Sequence, residues 1–548
     1  MGEHRAGRFR VWTPLLFSFI LIAGMTLGFN LRDTLRNKRD IQAIIQRNDR
    51  LEEIIDLINE KYVDSINGNA LYDDAITGIL SHLDPHTVYI PADKLAEVNE
   101  DLEGGFFGIG VEFSIIRDTI QVTSVIENGP AEHAGVETGD QLIKVNDSMV
   151  AGTQITSEHI MKLLKGKQHS HVSVTLRQPI SGLIKQVPIE RDIVPVFSVE
   201  AGVMLDSITG FIKINRFSAT TYDEFSKALK KLKAQGMKQL LLDLRDNPGG
   251  YLDDATMIAD EFLDDKKLIV YTKGRRSQRV DYKAGRDGMF ETGKLAILVD
   301  ESSASASEIL AGAIQDWDRG VIVGRRTYGK GLVQEQYEME DGAALRLTIA
   351  RYYTPSGRSI QRSFANGKEA YQQAFAQRFQ NGELTGTDSF ALADTSHYYT
   401  SRHRLVFGGG GIHPDIYVPY DTSRLSSAFL NMVYSEELKN TLWDYFIRHR
   451  DSLRFSSVKD YDKNFKGEND IIKSYLAALK EDYRPLVKMI LKEPAQNAYF
   501  RLQIRAQLAR LLFRDNGYYY INSQKDNVVQ RAMQELNNSN SYLEAIGR

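Results

Sequence analysis

The sequence predicts an α/β protein with an added α-helical part, built from several domains in one chain. The chain has 548 residues, whereas a single domain usually holds roughly 100–200 residues. Its central part alternates helical patterns with apolar runs such as Leu240–Leu244 and Leu295–Val299, which suit strands buried on both faces. Its last part shows only the spacing of amphipathic helices.

Composition excludes several kinds of site and partner. The net charge is -4 and 26% of the residues are charged, so there is no strongly basic field and nucleic acid is not expected as a partner. The sequence contains no cysteine. Disulfides, cysteine-ligated zinc, thiol catalysis and a lipid-modified cysteine are therefore excluded. Any covalent catalysis must use Ser, Thr, Lys or a carboxylate.

The N-terminal segment predicts a membrane anchor. Residues 12–31 contain no charged residue, and a helix of about 20 such residues rises about 30 Å, the thickness of a bilayer core. Three arginines lie within residues 1–11, so these residues are expected in the cytoplasm and the rest of the chain on the far side of the membrane. A cleaved signal peptide is the alternative, but the apolar run is long for one and lacks an A-x-A site.

Residues 32–103 predict a helical region. Apolar residues recur at helical spacing from Ile41 to Ile66, and Leu71 to Leu83 predicts a second helix. Asp84-Pro85 ends that helix because proline cannot continue it. We expect both helices to pack on the domain that follows.

Residues 104–190 predict a β-rich domain. Short segments between residues 110 and 146 alternate with the period of strands, and glycine-containing turns separate them. A helix is predicted from Ser157 to Lys165, and a further strand begins at His171. This order of elements resembles a circularly permuted PDZ domain.

A glycine-rich loop near the start of this domain is the candidate binding site for the carboxylate of a peptide end. The loop consists of Phe107, Gly108, Ile109, Gly110 and Val111. Glycines let backbone N–H groups converge on an anion, and addition of a peptide strand to the sheet supplies further affinity. A plain glycine turn that leads into a strand is the alternative.

Residues 191–423 predict the α/β core. Helices are predicted at Tyr222–Gln235 and Ser307–Trp317, between the apolar strands. Residues 363–405 are polar and predict an insertion or a long loop. Residues 424–548 predict a C-terminal helical domain, which is a candidate surface for a homodimer.

A serine-rich turn lies between a buried strand and a helix of the core. The segment from Ser302 to Ser307 follows the strand that ends at Val299 and runs directly into the predicted helix. A serine at such a turn is exposed at the edge of the sheet, and the helix N-terminus stabilises negative charge near it. A helix N-cap is the alternative, and the segment offers four serines for that position.

Two further segments suit a serine nucleophile. Lys330 lies between Gly329 and Gly331, and in a water-poor pocket the pKa of a lysine falls and its amine becomes a usable base. Lysine is an accepted partner for a catalytic serine in place of histidine. Gly249 and Gly250 form a tight turn after a buried strand, and such a turn can direct a backbone N–H at a developing oxyanion.

Together these segments resemble the carboxyl-terminal processing, or tail-specific, serine peptidases. The shared motifs are Asp-x-Arg-x-Asn-x-Gly-Gly, Ser-Ala-Ser-Ala-Ser-Glu-Ile and Tyr-Gly-Lys-Gly-x-Val-Gln, and they follow a PDZ domain. The resemblance spans about residues 40–362 and resumes at residues 411–415. It implies a peptidase core of the crotonase or ClpP type. The insertion after residue 362 departs from the family's pattern.

The resemblance implies a role for each site residue. Ser305 is the implied nucleophile, Lys330 the general base and Gln334 the group that orients the lysine. Matched positions likewise imply that Glu308 supports the start of the helix and that Arg245 supports the glycine turn.

The implied oxyanion hole consists of the backbone N–H of Ala306 with that of Gly250 or its neighbour Gly249. The sequence shows neither a phosphate-binding loop nor a metal-ligand cluster, so no metal and no cofactor are expected. A histidine triad is disfavoured, because His82, His86 and His133 lie in segments predicted as helix or PDZ turns, away from the catalytic motifs.

The implied function is that of a serine endopeptidase anchored by a single span in the bacterial inner membrane, with its catalytic body in the periplasm. It recognises the apolar C-termini of protein or peptide substrates through its PDZ domain. An adaptor protein is a further candidate partner. A non-enzymatic PDZ scaffold predicts a degraded catalytic site, which the intact motifs disfavour. A crotonase-like acyl-CoA enzyme leaves the PDZ segment and the export segment unexplained.

Overall fold

The structure is a computed structural model, and it describes residues 50–264, 266–386, 396–421 and 426–547. Within these ranges, no helix is both long enough and apolar enough to cross a membrane. The predicted anchor at residues 12–31 lies outside them.

The chain divides into two compact units, residues 1–83 and residues 84–548. In the first unit, residues 50–61 form helix α1, and Gly68–Leu80 form helix α2. Both predicted helices of this region are therefore present, although the first ends at residue 61 rather than at Ile66.

The second unit opens with a strand that the sequence did not predict. Strand β1 (Val88–Ile90) pairs with β18 (Ala344–Tyr353) of the core, and helix α3 (Ala92–Glu103) follows it. The interpretation of residues 32–103 as wholly helical is therefore wrong at β1. Three residues are too few to show a strand period, and the partner of this strand lies far along the chain.

The β-rich domain contains a six-stranded sheet and a two-stranded ribbon. Its elements are β2 (Gly105–Gly108), β3 (Val111–Ile116), β4 (Thr119–Val125), α4 (Pro130–His133), β5 (Gln141–Val145), β6 (Ser148–Met149), α5 (Ser157–Leu164), β7 (His171–Arg177), β8 (Ile184–Glu190) and β9 (Asp192–Pro195). The sheet has the order β3-β4-β5-β7-β8, with β6 on β5, and β2 pairs with β9. Among the described strands, β3 pairs only with β4, so one edge of β3 is open.

The core is built on a second six-stranded sheet, of order β10-β11-β12-β15-β16-β21. Its elements are β10 (Val199–Met204), β11 (Thr209–Ile214), α6 (Thr221–Ala234), β12 (Gln239–Asp243), α7 (Leu252–Asp260), β13 (Leu268–Lys273), β14 (Val280–Lys283), β15 (Lys294–Val299), α8 (Ala306–Asp316), β16 (Val321–Gly324), β17 (Leu332–Glu338) and, after the insertion, β21 (Ile416–Tyr417). All strands from β11 onward in this order are parallel, and β10 is antiparallel to β11.

The C-terminal helices are α10 (Ser427–Val433), α11 (Glu436–His449), α12 (Val458–Asn464), α13 (Glu468–Ala478), α14 (Arg484–Ile490), α15 (Pro494–Ser523), α16 (Asn527–Asn537) and α17 (Ser539–Ala545), with a 3₁₀ turn at Glu481–Tyr483. Helices α16 and α17 pack on one face of this sheet, whereas α10 to α15 share a separate apolar cluster with Ile116 of β3. Leu241 of β12 packs in a cluster with Val528 and Leu536 of α16. Its neighbours Leu240 and Leu242 pack on the other face with helices α6, α7 and α8. The apolar strands are therefore buried on both faces, as the sequence predicts.

A smaller sheet and the insertion complete the core. In this sheet β18 pairs with β1, β13 and β17, and β13 also pairs with β14. The interpretation of residues 363–405 as a long loop is wrong in part. The insertion contains helix α9 (Lys368–Gln380) and the short strands β19 (Tyr398–Tyr399) and β20 (Leu405–Val406). The helix escaped notice because most of its residues are polar and it shows no apolar stripe.

Candidate active site

The site forms where two neighbouring parallel strands of the core end. Strand β12 ends at Asp243 and strand β15 at Val299, and the two strands pair with each other. In open α/β sheets, functional groups gather at the carboxyl ends of the strands. The turn with Gly249 and Gly250 follows β12, and the turn with Ser305 follows β15. The predicted oxyanion turn and the predicted nucleophile therefore lie at the same edge of the sheet.

Ser305 has a strained backbone at the start of helix α8. Its φ of 54° and ψ of -111° lie in a region that residues other than glycine rarely adopt. Its N–H donates to Glu308 Oε2 at 2.9 Å, as in a capping box. The helix cap and the candidate nucleophile, alternatives in the sequence, are thus the same residue. Strained nucleophiles occur at strand-to-helix turns of this kind in hydrolases.

Gly249 packs directly against the serine. A Cβ atom at Gly249 would lie 2.7 Å from Ser305 Cβ and 3.0 Å from Ala306 N, and the φ of +100° also requires glycine. The N–H of Gly249 donates to Asn247 Oδ1 at 2.9 Å. The N–H groups of Gly250 and Ala306 have no acceptor in the part of the chain that the structure describes. Gly250 rather than Gly249 thus offers the second oxyanion donor beside Ala306.

One buried carboxylate joins the turn that contains Ser305 to the lysine loop, residues 326–330, which carries Lys330. The side chain of Glu308 is fully buried. Besides the N–H of Ser305, it accepts the N–H of Gly329 at 2.7 Å, the N–H of Lys330 at 2.8 Å and the hydroxyl of Thr327. The amides of Ser305 and Lys330 donate to the same oxygen, Oε2. The structure therefore brings the predicted nucleophile and the predicted base into one constellation.

The protonation of Glu308 is finely balanced. Burial raises the pKa of Glu308 to about 7, although the hydrogen bonds from Thr327, Lys330, Gly329 and Ser305 all favour the charged form. The carboxylate form can accept every one of these donors, whereas the protonated form gives up part of its accepting capacity. The hydrogen bonds by which Glu308 clamps the Ser305 turn to the lysine loop are therefore strongest above neutral pH.

Tyr352 provides a second link between the same two segments. Its hydroxyl donates to the carbonyl of Ser305 at 3.1 Å and contacts the carbonyl of Lys330. The side chain is buried, and burial, with the charge of Glu308 nearby, raises the pKa of Tyr352 well above its usual range. The phenol therefore keeps the proton that these contacts need.

The surroundings of Lys330 disfavour its charged form. Burial lowers the pKa of Lys330 below its ordinary value, and the positive charge of Arg346 adds to this effect, while Glu308 and Asp84 oppose it. Among the described residues, no hydrogen bond joins Lys330 Nζ to Ser305 Oγ. Catalytic hydrogen bonds are often long until substrate binds. The arrangement suits a lysine that takes a proton from the serine during attack.

Gln334 does not contact the lysine in this structure. Its Nε2 donates to the carbonyl of His86, and no bond to Lys330 is present among the described residues. Its role in orienting the lysine stays a prediction.

The expectation that His86 lies far from the catalytic motifs is wrong. The turn that contains His86 is brought to the site because β1, which follows it, pairs with β18. His86 Nε2 lies 3.1 Å from the hydroxyl of Tyr371. Burial and the charge of Lys330 lower the pKa of His86 to about 4. The imidazole is therefore neutral at neutral pH.

The predicted carboxylate-binding loop forms the corner between β2 and β3. Phe107 and Gly108 belong to β2, and Val111 begins β3. The carbonyls of Ile109 and Gly110 accept the N–H groups of Ala131 and Ile126, whereas their own N–H groups have no acceptor among the described residues. Gly110 has a φ of +77°. Two consecutive free N–H groups beside the open edge of β3 suit a peptide carboxylate.

Sequence reasoning missed Tyr352 and His86 and gave Glu308 too small a part. Tyr352 lies on β18, and only the pairing of β18 with β17 shows that it reaches the lysine loop. His86 follows Asp84, whose carboxylate accepts the N–H groups of His86 and Thr87. The sequence Asp-Pro-His-Thr therefore indicates an ordered turn. Its first two residues were interpreted only as the end of a helix.

Comparison with known proteins gives the same arrangement of domains. Residues 208–367 match the model for peptidase family S41, residues 121–178 that for a PDZ domain, and residues 29–94 that for the N-terminal domain of the activating protease CtpB.

The similar curated proteins are proteases. A probable CtpA-like serine protease of Staphylococcus haemolyticus is 30% identical over 72% of this chain and 79% of its own length. A carboxy-terminal-processing protease of Bartonella bacilliformis is 33% identical over 61% of this chain and 77% of its own.

Among solved structures, the photosystem II D1 C-terminal processing protease is similar at 25% identity, with a TM-score of 0.34, over 68% of this chain and 87% of its own. The assignment depends on the sequence relatives and the family models rather than on this overlap. The intact serine and lysine motifs agree with it. The chain belongs to peptidase family S41 as a C-terminal processing serine-type peptidase that carries a PDZ domain.

Proposed function

We propose that the chain is a membrane-anchored endopeptidase that captures the C-terminal tails of protein substrates with its PDZ domain and cleaves them with Ser305 and Lys330. The observation that carries the proposal is the Glu308 carboxylate, which holds the amides of Ser305 and Lys330 on one oxygen. This clamp fixes the serine and the lysine loop relative to each other. Pre-set geometry of this kind lowers the entropic cost of the chemical step.

Each step of the reaction uses a group of the site. Neutral Lys330 takes the Ser305 hydroxyl proton as the oxygen attacks the peptide carbonyl. The negative charge on the carbonyl oxygen is stabilised by the N–H groups of Ala306 and Gly250, at the N-terminus of α8. The protonated lysine gives its proton to the leaving amine. A water molecule, deprotonated by the same lysine, then attacks the acyl-serine, and the lysine returns this proton to Ser305 as the ester bond breaks.

The PDZ domain supplies substrate capture in this proposal. The free N–H groups of Ile109 and Gly110 bind the terminal carboxylate of the tail. The tail adds as a strand to the open edge of β3. Apolar side chains near the end of the tail suit the pocket beside this loop, which is lined by apolar residues that include Ile109, Val111 and Phe113.

Residues 12–31 anchor the chain in the membrane and leave its catalytic body outside the cytoplasm in this proposal. The support is the uncharged run of the sequence and the arginines that precede it. Anchoring places the peptidase among membrane-associated or exported substrates.

The test uses the full chain in membrane vesicles with an unfolded reporter that ends in apolar residues. Ser305→Ala and Lys330→Ala are each expected to abolish cleavage while leaving the reporter bound. Ser302→Ala, in the same turn, is the matched control and should cleave at the wild-type rate.

Two results would contradict parts of the proposal. Turnover near wild type in either the Ser305 or the Lys330 variant would show that these residues are not the catalytic pair. Release of the activity from the vesicles by a carbonate wash would show that residues 12–31 do not anchor the chain in the membrane.

A further inference from the structure

A buried arginine of the insertion contacts the loop that carries Lys330. In helix α9, the buried residues are Tyr371 and Arg378. They lie seven residues apart and therefore on the same face of the helix. Arg378 is 2% exposed. Its Nη1 donates to the carbonyl of Thr327 at 3.0 Å, and its Nη2 donates to the carbonyl of Arg326.

A shared carboxylate fixes this arginine. Glu383, also in the insertion, accepts Arg378 Nε at 3.0 Å and two nitrogens of Arg326 at 2.8 Å. Burial opposes the charge of Glu383, but the two arginines outweigh it and keep the pKa of Glu383 below its usual range. Burial and the charge of Arg326 lower the pKa of Arg378 to about 10. Arg378 and Glu383 are therefore both charged at neutral pH.

The cost of burying these charges argues against a purely stabilising role. Buried ion pairs add little net stability compared with apolar packing, because both charges lose their hydration. A helix that served only to cover the core would more simply use an apolar stripe. Arg378 instead orients the loop, because its planar guanidinium donates to two consecutive carbonyls at once.

A second contact from α9 reaches the same loop. The guanidinium of Arg362 lies 4.0 Å from the ring centre of Tyr371 and 4.5 Å from that of Tyr328. The backbone N–H of Arg362 donates to the carbonyl of Gly329 at 3.0 Å. The Tyr328 ring also packs against Phe375 of α9, at 5.2 Å between ring centres. Cation–π contacts of this kind favour one packing of the loop.

The loop from residue 326 to residue 330 is thus held from two sides. Arg378 binds the carbonyls of its first two residues, and Glu308 binds the amides of its last two. We propose that Arg378 is a positioning residue for Lys330, and that the insertion serves to fix the catalytic base. This inference rests on the proposed role of Lys330 as general base.

The expected effect is on rate rather than on binding. Groups that orient catalytic or ligand residues typically cost about 10- to 100-fold when removed. Without Arg378 the carbonyls of Arg326 and Thr327 lose their donors, and the loosened loop would leave the lysine amine displaced and wetter. Its pKa would then move up toward its ordinary value, since burial is what lowers it.

The test compares Arg378→Gln with wild type in the full chain. We expect kcat for the reporter to fall about 10- to 100-fold, with KM unchanged. The rise of kcat with pH, which reports the lysine, should move to higher pH. Arg378→Lys, which keeps the charge but not the paired donors, should regain part of the rate. Gln373→Ala, at an exposed position of α9, is the control and should match wild type.

Thermal unfolding of each variant separates positioning from folding. If Arg378→Gln does not fold, Glu383→Gln takes its place under the same criteria, because it loosens Arg378 and preserves the side-chain shape. A folded variant with wild-type kcat and pH profile overturns the inference. So does a loss of activity that matches the unfolded fraction and leaves the pH profile in place.

Labelling by a small fluorophosphonate keeps the two proposals apart. If Ser305→Ala abolishes labelling and the Arg378 variants label at the wild-type rate, the inference fails and the catalytic serine stands. If Ser305→Ala still becomes labelled like wild type, the proposed function fails.

Discussion

Lys330 illustrates the conflict between function and stability at a single residue. An amine that is to act as a base near neutral pH must be held where its charged form is disfavoured, and burial and Arg346 provide this. Such a site costs folding stability, because the lysine is better solvated in the unfolded chain. Functional groups are commonly retained at a cost of this kind.

The stability of Lys330→Met should reveal this cost. The unfolded pKa of lysine is about 10.4, and the folded pKa of Lys330 lies below its ordinary value. The wild type therefore loses stability as pH falls through the folded pKa and keeps that loss at lower pH. The methionine variant should unfold at a higher temperature than wild type at pH 7, and the difference should shrink as pH rises toward 10–11. Calorimetry across pH measures it. A constant difference would show that Lys330 is not perturbed.

The proximity of the proposed catalytic residues was more predictable than their side-chain contacts. Motif context groups Ser305 with Lys330 in the sequence, and in the structure the amides of both residues donate to Glu308. The contact of Gln334 could not be foreseen, because His86 reaches it through the pairing of β1 with β18. Side-chain partners that depend on long-range strand pairing leave no local pattern in a sequence.

The turn from residue 244 to residue 250 shows how one element shapes the oxyanion site. Asn247 lies at its centre and is buried. Its Oδ1 accepts the N–H of Gly249, and its Nδ2 donates to the carbonyl of Ile214 at 3.0 Å. Its own carbonyl accepts the N–H of Ala304 at 2.9 Å. One side chain and one carbonyl thus tie the glycine turn to the neighbouring strand and to the serine turn.

Asn247→Ala should lower both stability and rate. It leaves the N–H of Gly249 and the carbonyl of Ile214 without a partner in a buried place, which costs about 1–3 kcal/mol. The relaxed turn also misplaces the N–H of Gly250. We expect denaturant unfolding to show the loss and kcat to fall with little change in KM. Asp246→Asn, in the same turn but exposed, is the control. An Asn247 variant that loses stability but keeps kcat would separate the turn from the oxyanion site.

Elements with an apolar period were predictable, and polar ones were not. Predicted and observed helices agree closely at Thr221–Ala234 and Ala306–Asp316, where each packs an apolar stripe on the sheet. Helix α9 was read as a loop, because charge and aromatic contacts rather than an apolar stripe fix it. Period-based reasoning detects burial, so it misses a helix held in this way.

At the scale of the molecule, the C-terminal helices hold the PDZ domain. Arg514 donates to the carbonyl of Val125 at 2.7 Å from a break in α15, where its φ is 55° and its ψ is -152°. Asp444 of α11 pairs with Arg117 in the β3–β4 turn. Exposed ion pairs contribute little to stability, and a strained arginine costs some. These two polar contacts lie beside an apolar one, since Ile116 of β3 is buried in the cluster of the same helices. The polar contacts therefore affect where the PDZ domain lies more than how stable the chain is.

The double variant Arg514→Gly with Asp444→Ala should uncouple tail capture from cleavage. Glycine accepts the backbone angles of residue 514 without strain, so the fold should persist while both contacts are lost. A tail bound by a loosely held PDZ domain presents its chain to Ser305 at a lower effective concentration. We expect kcat/KM to fall several-fold for a reporter with an apolar C-terminus.

A short peptide that does not engage the PDZ domain is the matched substrate, and its turnover should stay within about twofold of wild type, because the core and the site are unchanged. Arg454→Ala, which removes an exposed pair with Asp451 in the same helical region, is the control and should leave both substrates unaffected. Hydrogen exchange in the β3–β4 turn should rise only in the double variant. An equal loss for both substrates would mean that the helices support the core itself, and no loss for either would mean that the PDZ domain delivers tails without being held in place.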